Sequence, residues 1–550
     1  MNLPAIFASL ALLAALSTLD ARAERSTVCT VTVNSPDERE MFRRSLPEDK
    51  FQLVELVERG RPDWLASACR QNVRCDVLVI SGHFDGGTEF YSDRVGARES
   101  LPVDELERAS CSASCSGLFS QLKEVYLFGC NTLNPATVEA TASEVARSLV
   151  RSGSTQADAD ELARALNANH GESNRDAMRR IFANVPVIYG FPGQAPLGVT
   201  AGPILGRYLQ ATASRDVGSG RASAALLGAF SAASMSSASG MLASDTRSDY
   251  RRDVCQFFDE QRSPAQKLSF IHSLLRREMA EVRMFFERIE AFDASLTDAE
   301  RTSPAFLAEL EAIAADESAR DRYLRYARDV DRAEVRARMI QWAGKLGWLS
   351  PQEQTSELAR LASDRLADPA IASSDVDLIC SLDRDGALDH RVHDDRPIVA
   401  SDSVARSAAL ACLGRPDARE RVLRALTGGV VSEVDLAQVY LSHRPIGDVH
   451  ELRSIAAGIA TMTDADAQVR ALETLARYYL SDRESLSELA RLFPRAVSVS
   501  VQRAIAGVFI RSDARAVADL DLGRIVRRYR LKSPDGGEDL IDVLLRRLHT

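Results

Sequence analysis

Two short stretches carry the side chains best suited to covalent chemistry. In VLVISGHFDG (77–86) and VYLFGCNTLN (125–134) an apolar run stops at a glycine, and the next residue is reactive: His83 in the first, Cys130 in the second. A thiol held against an imidazole gives up its proton and becomes the nucleophile of acyl transfer, with the ring as proton carrier. The two residues are 47 positions apart, so they meet only if the elements that carry them lie side by side. Their apolar residues fall on consecutive positions, the pattern of strands buried on both faces. In a parallel sheet covered by helices, sites form beyond the carboxyl ends of such strands. Gly129 and the turn after Cys130 would there offer backbone N–H groups to an oxyanion.

Residues 24–211 supply the elements of that sheet. CTVTV (29–33) alternates as a strand, and SPDEREMFRRSL opens a helix with a serine followed by early acids. FQLVELV is a second strand with RPDWLASACRQ as the helix after it, and CDVLVIS is the third strand. A Gly- and Ser-rich excursion leads to EVYLFG, the fourth; helices are expected over 136–150, 156–168 and 174–183, then VPVIYGF (185–191) as the fifth strand. The alternation specifies an α/β fold, a doubly wound, mostly parallel sheet with helices on both faces.

A strand ending in Gly82-His83 and a later one ending in Gly129-Cys130, in this order on a parallel sheet, resembles the caspase-like cysteine peptidases, a superfamily that includes caspases, clostripain-like and gingipain-like enzymes and CHAT domains. The resemblance covers about residues 24–210. It implies peptide-bond hydrolysis with Cys130 as nucleophile and His83 as proton shuttle. It also implies a substrate strand along the sheet edge and a pocket shaped by the loop after VPVIYGF. Asp85, Asn131, Tyr189 and Gly190 are the pocket candidates on that reading. The family's usual Gly after the His is Phe84 here, which still brings an N–H toward the oxyanion, with Gly129 as the second backbone candidate. The Gln-Ala-Cys context of caspases is absent, so the chain is no close caspase relative.

Other clusters carry less. His170-Gly171 in NANHGESN follows no strand and reads as a loop before a helix capped by Ser173. LDRDGALDHRVHDDRP (382–397) has two His among five Asp, but neither tetrahedral Cys/His spacing nor the distal Glu of a calcium loop, and reads as a solvated loop. Phosphate-loop, dinucleotide and Gly-x-Ser-x-Gly signatures are missing, so no metal or cofactor is expected. The competing classes are a non-enzymatic interaction protein on an inactive peptidase-like fold, and a hydrolase of other esters or amides using the same pair.

The remainder sets the context. A net charge of −10 spread over 550 residues favours solubility and argues against nucleic acid as a partner. AIFASLALLAAL followed by Ala21-Arg22-Ala23 reads as a signal peptide over 1–23, although MNLP lacks Lys and Arg; the mature protein is expected to be periplasmic or secreted, without a transmembrane span. Nine cysteines in an oxidising compartment allow four disulfides and one free thiol. Cys69/Cys75 and Cys111/Cys115 are close enough in sequence to close local loops. Residues 212–247, dense in Ala, Ser and Gly, are taken as the domain boundary, as a linker open to nicking or a loose helical hairpin. From 248 on the pattern is helical: an amphipathic connector over 248–330, then 331–550 with openings such as EVRARMIQWAGKLG and SVQRAIAGVFIRSD. Their valines at 335, 376, 404, 434, 469 and 501 drift with the period of an all-α solenoid, which looks HEAT-like and would hold a protein partner while the first domain takes a protein or peptide substrate.

Overall fold

Strands rich in Val, Ile and Phe pair side by side, because only a sheet satisfies their backbones while both faces are covered. The structure is a computed structural model. It describes residues 25–57, 65–84, 87–92, 99–136, 173–392, 396–399, 402–518, 520–532 and 539–548, together with Ala159 and Glu161. The expected signal peptide, most of the expected helices at 136–150 and 156–168, Asp85, His170-Gly171 and His393 lie outside the described residues.

In chain order the first elements are β1 (Ser26–Thr32), α1 (Asp37–Ser45), β2 (Phe51–Val57), α2 (Ala66–Arg70), β3 (Val77–Ser81), β4 (His83–Phe84), β5 (Glu89–Tyr91), β6 (Ser100–Pro102) and α3 (Val103–Cys111). They continue with β7 (Glu124–Phe128), α4 (Asn174–Ile181), β8 (Val187–Gly190), α5 (Gly198–Asp216), α6 (Ala224–Ala229) and β9 (Ser236–Ala238). The main sheet runs β2-β1-β3-β7-β8-β9, with the first five strands parallel and β9 antiparallel to β8. A separate antiparallel sheet, β4-β5-β6, occupies the excursion between β3 and β7. Two cores form, one per face. Leu78, Ile80, Val125 and Leu127 pack with Leu106 and Phe182, and Val77, Val79, Tyr126 and Phe128 with Phe42 and Leu205. Consecutive apolar positions therefore serve opposite faces, as the strand repeat demands.

Residues 212–247 are not a linker. They contain the end of α5, all of α6 and β9, which completes the sheet. One of their glycines is needed for close packing. A Cβ on Gly240 would stand 2.0 Å from the Phe182 carbonyl oxygen and 2.8 Å from the Val185 nitrogen. The expected connector is likewise part of the first unit, which runs to Tyr326; the second starts at Ala327. Two features tie α7 (Ser248–Phe258) to α3: the Cys111–Cys255 disulfide, with Cα atoms 5.0 Å apart, and a buried ion cluster. In that cluster Arg180 pairs with Glu107, Arg288 reaches Glu107 at 3.0 Å, and both guanidinium groups lie over the Tyr250 ring. Burial and the neighbouring Arg288 charge pull the Arg180 guanidinium down to about 9.

The disulfides are long-range. Cys29 joins Cys75, Cys69 joins Cys115, Cys111 joins Cys255 and Cys380 joins Cys412, leaving Cys130 free. The local pairs expected from sequence are replaced because neighbouring elements bring other cysteines within bonding reach: Cys29 on β1 lies beside the chain entering β3, and Cys69 on α2 beside the turn at Cys115. Such a framework fits an exported protein. No helix among the described residues is long and apolar enough to cross a membrane.

The second unit is all-helical. Ser373–Arg384, Val431–His443, Ala465–Leu475 and Val499–Arg511 pack each on the next in a row, and Val449–Ile459 packs on Arg483–Leu492 beside them. Val376, Val434 and Val501 near the starts of row helices are buried.

The packing of β9 predicts opposite outcomes at two glycines. Gly240→Ala is expected to lower stability by about 2 kcal/mol through overpacking. Gly228→Ala in α6, where a Cβ meets nothing within 4 Å, should be neutral or raise it by up to about 1 kcal/mol. Urea denaturation midpoints of the two variants decide this, and equal shifts would contradict the packing described.

Candidate active site

His83 and Cys130 stand beyond the carboxyl ends of adjacent strands. β3 and β7 pair in parallel with Ser81 opposite Phe128, and the Gly82 N–H donates to the Phe128 carbonyl at 3.1 Å. That register offset equals the separation of His83 and Cys130, so the chain leaves the sheet with the two residues level. Gly129 allows the approach: a Cβ there would lie 2.9 Å from the Phe84 Cβ and 3.0 Å from the Gly82 oxygen.

The minor sheet holds the imidazole in place. His83 pairs with Tyr91 across β4 and β5, the two rings 5.4 Å apart, while Phe84 and Phe90 are buried with rings 4.7 Å apart. The turn after Cys130 is held from the other side. Asn131 takes a left-handed conformation at φ 58° and donates its N–H to the Gly193 carbonyl at 2.7 Å; the Leu133 N–H donates to Phe191 at 3.0 Å. The Asn174 side chain donates to the Asn131 carbonyl at 3.0 Å. These bonds fix the thiol, which receives the Ala195 N–H at 3.3 Å. Negative charge forming on sulfur would strengthen a bond of that sense.

Both residues are half-buried and line one cleft of about 50 Å³, room for roughly three to five waters. Gly129 lines it too, and so do Ala195, Pro196, Leu197 and Gly198 of the loop after β8. The remaining sequence candidates sit elsewhere. Phe84 faces the core, and Asn131 supports the turn rather than the cleft wall. Tyr189 is buried against Tyr126, its hydroxyl accepting the Ser223 N–H at 2.8 Å, and Gly190 pairs with Ser236. No group of three or more His, Cys, Asp or Glu among the described residues could hold a metal ion.

Glu38, in the first turn of α1, also lines the cleft and was not singled out from sequence. It is only 3% exposed. Burial pushes its carboxyl up to about 7, with Asp37 adding repulsion, against hydrogen bonds from its own amide and the Ser81 hydroxyl. The available signal was spacing: Glu38 stands four residues before the buried Phe42, on the inward face of its helix. The Ala195 amide had no sequence signal, since a loop's backbone direction is set by its anchors.

Compared with known proteins, the chain matches no family model, no curated protein and no solved structure.

The Glu38 environment predicts a pH-dependent stability. This carboxyl ionises at about 7 in the folded chain against 4.5 ordinarily, so between those values the folded state holds more protons. Its contribution is full below 4.5, declines as pH rises and is lost above 7, a change of about 3 kcal/mol. The stability difference between Glu38→Gln and the parent should therefore move in favour of the variant by that amount from pH 4 to pH 8. Urea titrations at both pH values test it; an unchanged difference would mean the carboxyl is not held protonated by burial.

Proposed function

We propose that the protein is an exported cysteine endopeptidase of caspase-like type, working through a Cys130–His83 dyad. The observation that carries the reading is the meeting of His83 and the one cysteine outside the four disulfides in a single cleft at the carboxyl edge of a parallel sheet. In the proposed reaction His83 takes the thiol proton as the Cys130 sulfur attacks the scissile carbonyl. The tetrahedral oxyanion is stabilised by backbone N–H groups around the Gly129–Cys130 turn. Collapse breaks the C–N bond, the amine leaves with the proton from His83, and a thioester joins substrate to enzyme. Water activated by the same imidazole then releases the acid and restores the thiol. The helical unit, read as a HEAT-like repeat array, serves to recruit a protein partner or substrate.

The test is covalent labelling of the purified protein by peptidyl acyloxymethyl ketones, with the site mapped by peptide mass. Labelling is expected at Cys130 and should slow by at least about 100-fold in His83→Ala. If Cys130 stays unlabelled, or labels equally without His83, the dyad is not working. The non-enzymatic interaction protein then becomes the better reading.

A further inference from the structure

One basic stretch stands out in a chain whose net charge is −10. Residues 524–532, RIVRRYRLK, hold five cations and no acid. They cover most of the helix Leu522–Tyr529 and the three residues after it. At about 100° per residue, Arg524, Arg527 and Arg528 fall on one face, opposite the buried Leu522 and Val526. Like charges three and four positions apart repel one another, so this face costs the isolated helix stability. Asp521 offsets Arg524, and Arg530 turns inward to Asp539 at 3.2 Å and Asp542 at 2.8 Å. Arg527, Arg528 and Lys532 are exposed.

Apolar side chains are exposed among these charges: Tyr529 at 43% and Leu531 at 37%. The buried Gln502 brings a second segment alongside. Its side-chain amide donates to the Phe493 carbonyl at 3.2 Å and the Tyr529 carbonyl at 2.8 Å, and its oxygen accepts the Leu531 N–H at 2.8 Å. The turn after Phe493 adds exposed Arg495 and Val497, the latter at 71%. Cations in a last turn offset the helix dipole, which accounts for Arg527 and Arg528. It accounts neither for Arg495 and Lys532 nor for the apolar side chains between them. A single exposed valine or leucine means little, but a group of them set among cations marks an interface.

The partner must be anionic and must also take up apolar side chains. A phospholipid surface does both, with headgroup phosphates for the cations, the acyl boundary for Val497 and Leu531, and the headgroup level for Tyr529. A soluble polyanion would use the charges and leave Val497 and Leu531 in water. The acidic remainder of the chain does not prevent contact, because its repulsion is screened beyond about 8 Å at physiological salt. We infer that this surface, assembled by Gln502 from two segments, docks the protein on the face of an anionic phospholipid membrane. The inference is independent of the peptidase reading.

Flotation of the purified protein with vesicles tests it, using phosphatidylcholine alone and phosphatidylcholine mixed with phosphatidylglycerol. Binding to the mixed vesicles should be at least about tenfold tighter and should fall steeply at about 0.5 M salt. Replacing Arg527, Arg528 and Lys532 together by alanine should weaken it about 100-fold, at about fivefold per charge. Arg527→Lys with Arg528→Lys, which keeps the charge, should stay within about threefold of the parent. Val497→Ser with Leu531→Ser should weaken vesicle binding by about tenfold and leave any capture by polyglutamate unchanged. Should a variant fail to fold, the lipid and salt dependence of the parent decide alone. Equal binding to the two kinds of vesicle, or none to either, would overturn the inference. So would full binding by the serine variant together with capture by polyglutamate as tight as by vesicles, which would mark the surface as one for an acidic protein.

Discussion

The parallel pairing of β3 with β7 is the constraint on which the site depends. Ser81 opposite Phe128 sets the register, and the two reactive residues follow two positions later on each strand. A slip of one residue would turn every side chain of a strand to the other face, so the apolar alternation that fills two cores also sets where the cysteine emerges. Gly129 lets the chains stay that close beyond the last paired residue. The β5 pairing and the bonds from Gly193 and Phe191 then hold the two sides against each other.

The helices that follow the sheet belong to the same unit because a buried charge cluster and a disulfide hold them there. Glu107 and Arg180 are 2% and 3% exposed, and Arg288 arrives from a helix more than a hundred residues further on. Removing Glu107 would leave both guanidinium groups without the carboxylate they share, which typically costs several kcal/mol. The interaction thus acts as a condition on how α3, α4 and the later helices assemble, more than as a net gain in stability.

Much of this was legible in the residues. The five parallel strands were readable from β-branched alternation in β1 and short apolar runs in the others, and Gly82-His83 and Gly129-Cys130 marked the ends of β3 and β7. What escaped was set by tertiary context. β9 is three small residues, Ser-Ser-Ala, with no strand signal of its own; pairing with β8 makes it a strand. The minor sheet has strands of two and three residues, too short for any periodicity. Glu38 reads as an ordinary helix-opening acid, and only its burial in the wall of the cleft that Cys130 also lines sets it apart. The cysteine pairing followed the fold and not the spacing, since Cys111 and Cys115 face different neighbours.

Three of the disulfides form an overlapping chain: 29 to 75, 69 to 115 and 111 to 255. Every peptide bond between Cys29 and Cys255 is spanned by at least one of them, and His83 and Cys130 both lie inside that stretch. A single backbone cut anywhere in it would yield two chains still joined by sulfur, with both reactive residues retained in one covalent body. Such a molecule could be nicked in a protease-rich compartment without losing half of its site, and would come apart only when reduced as well as unfolded.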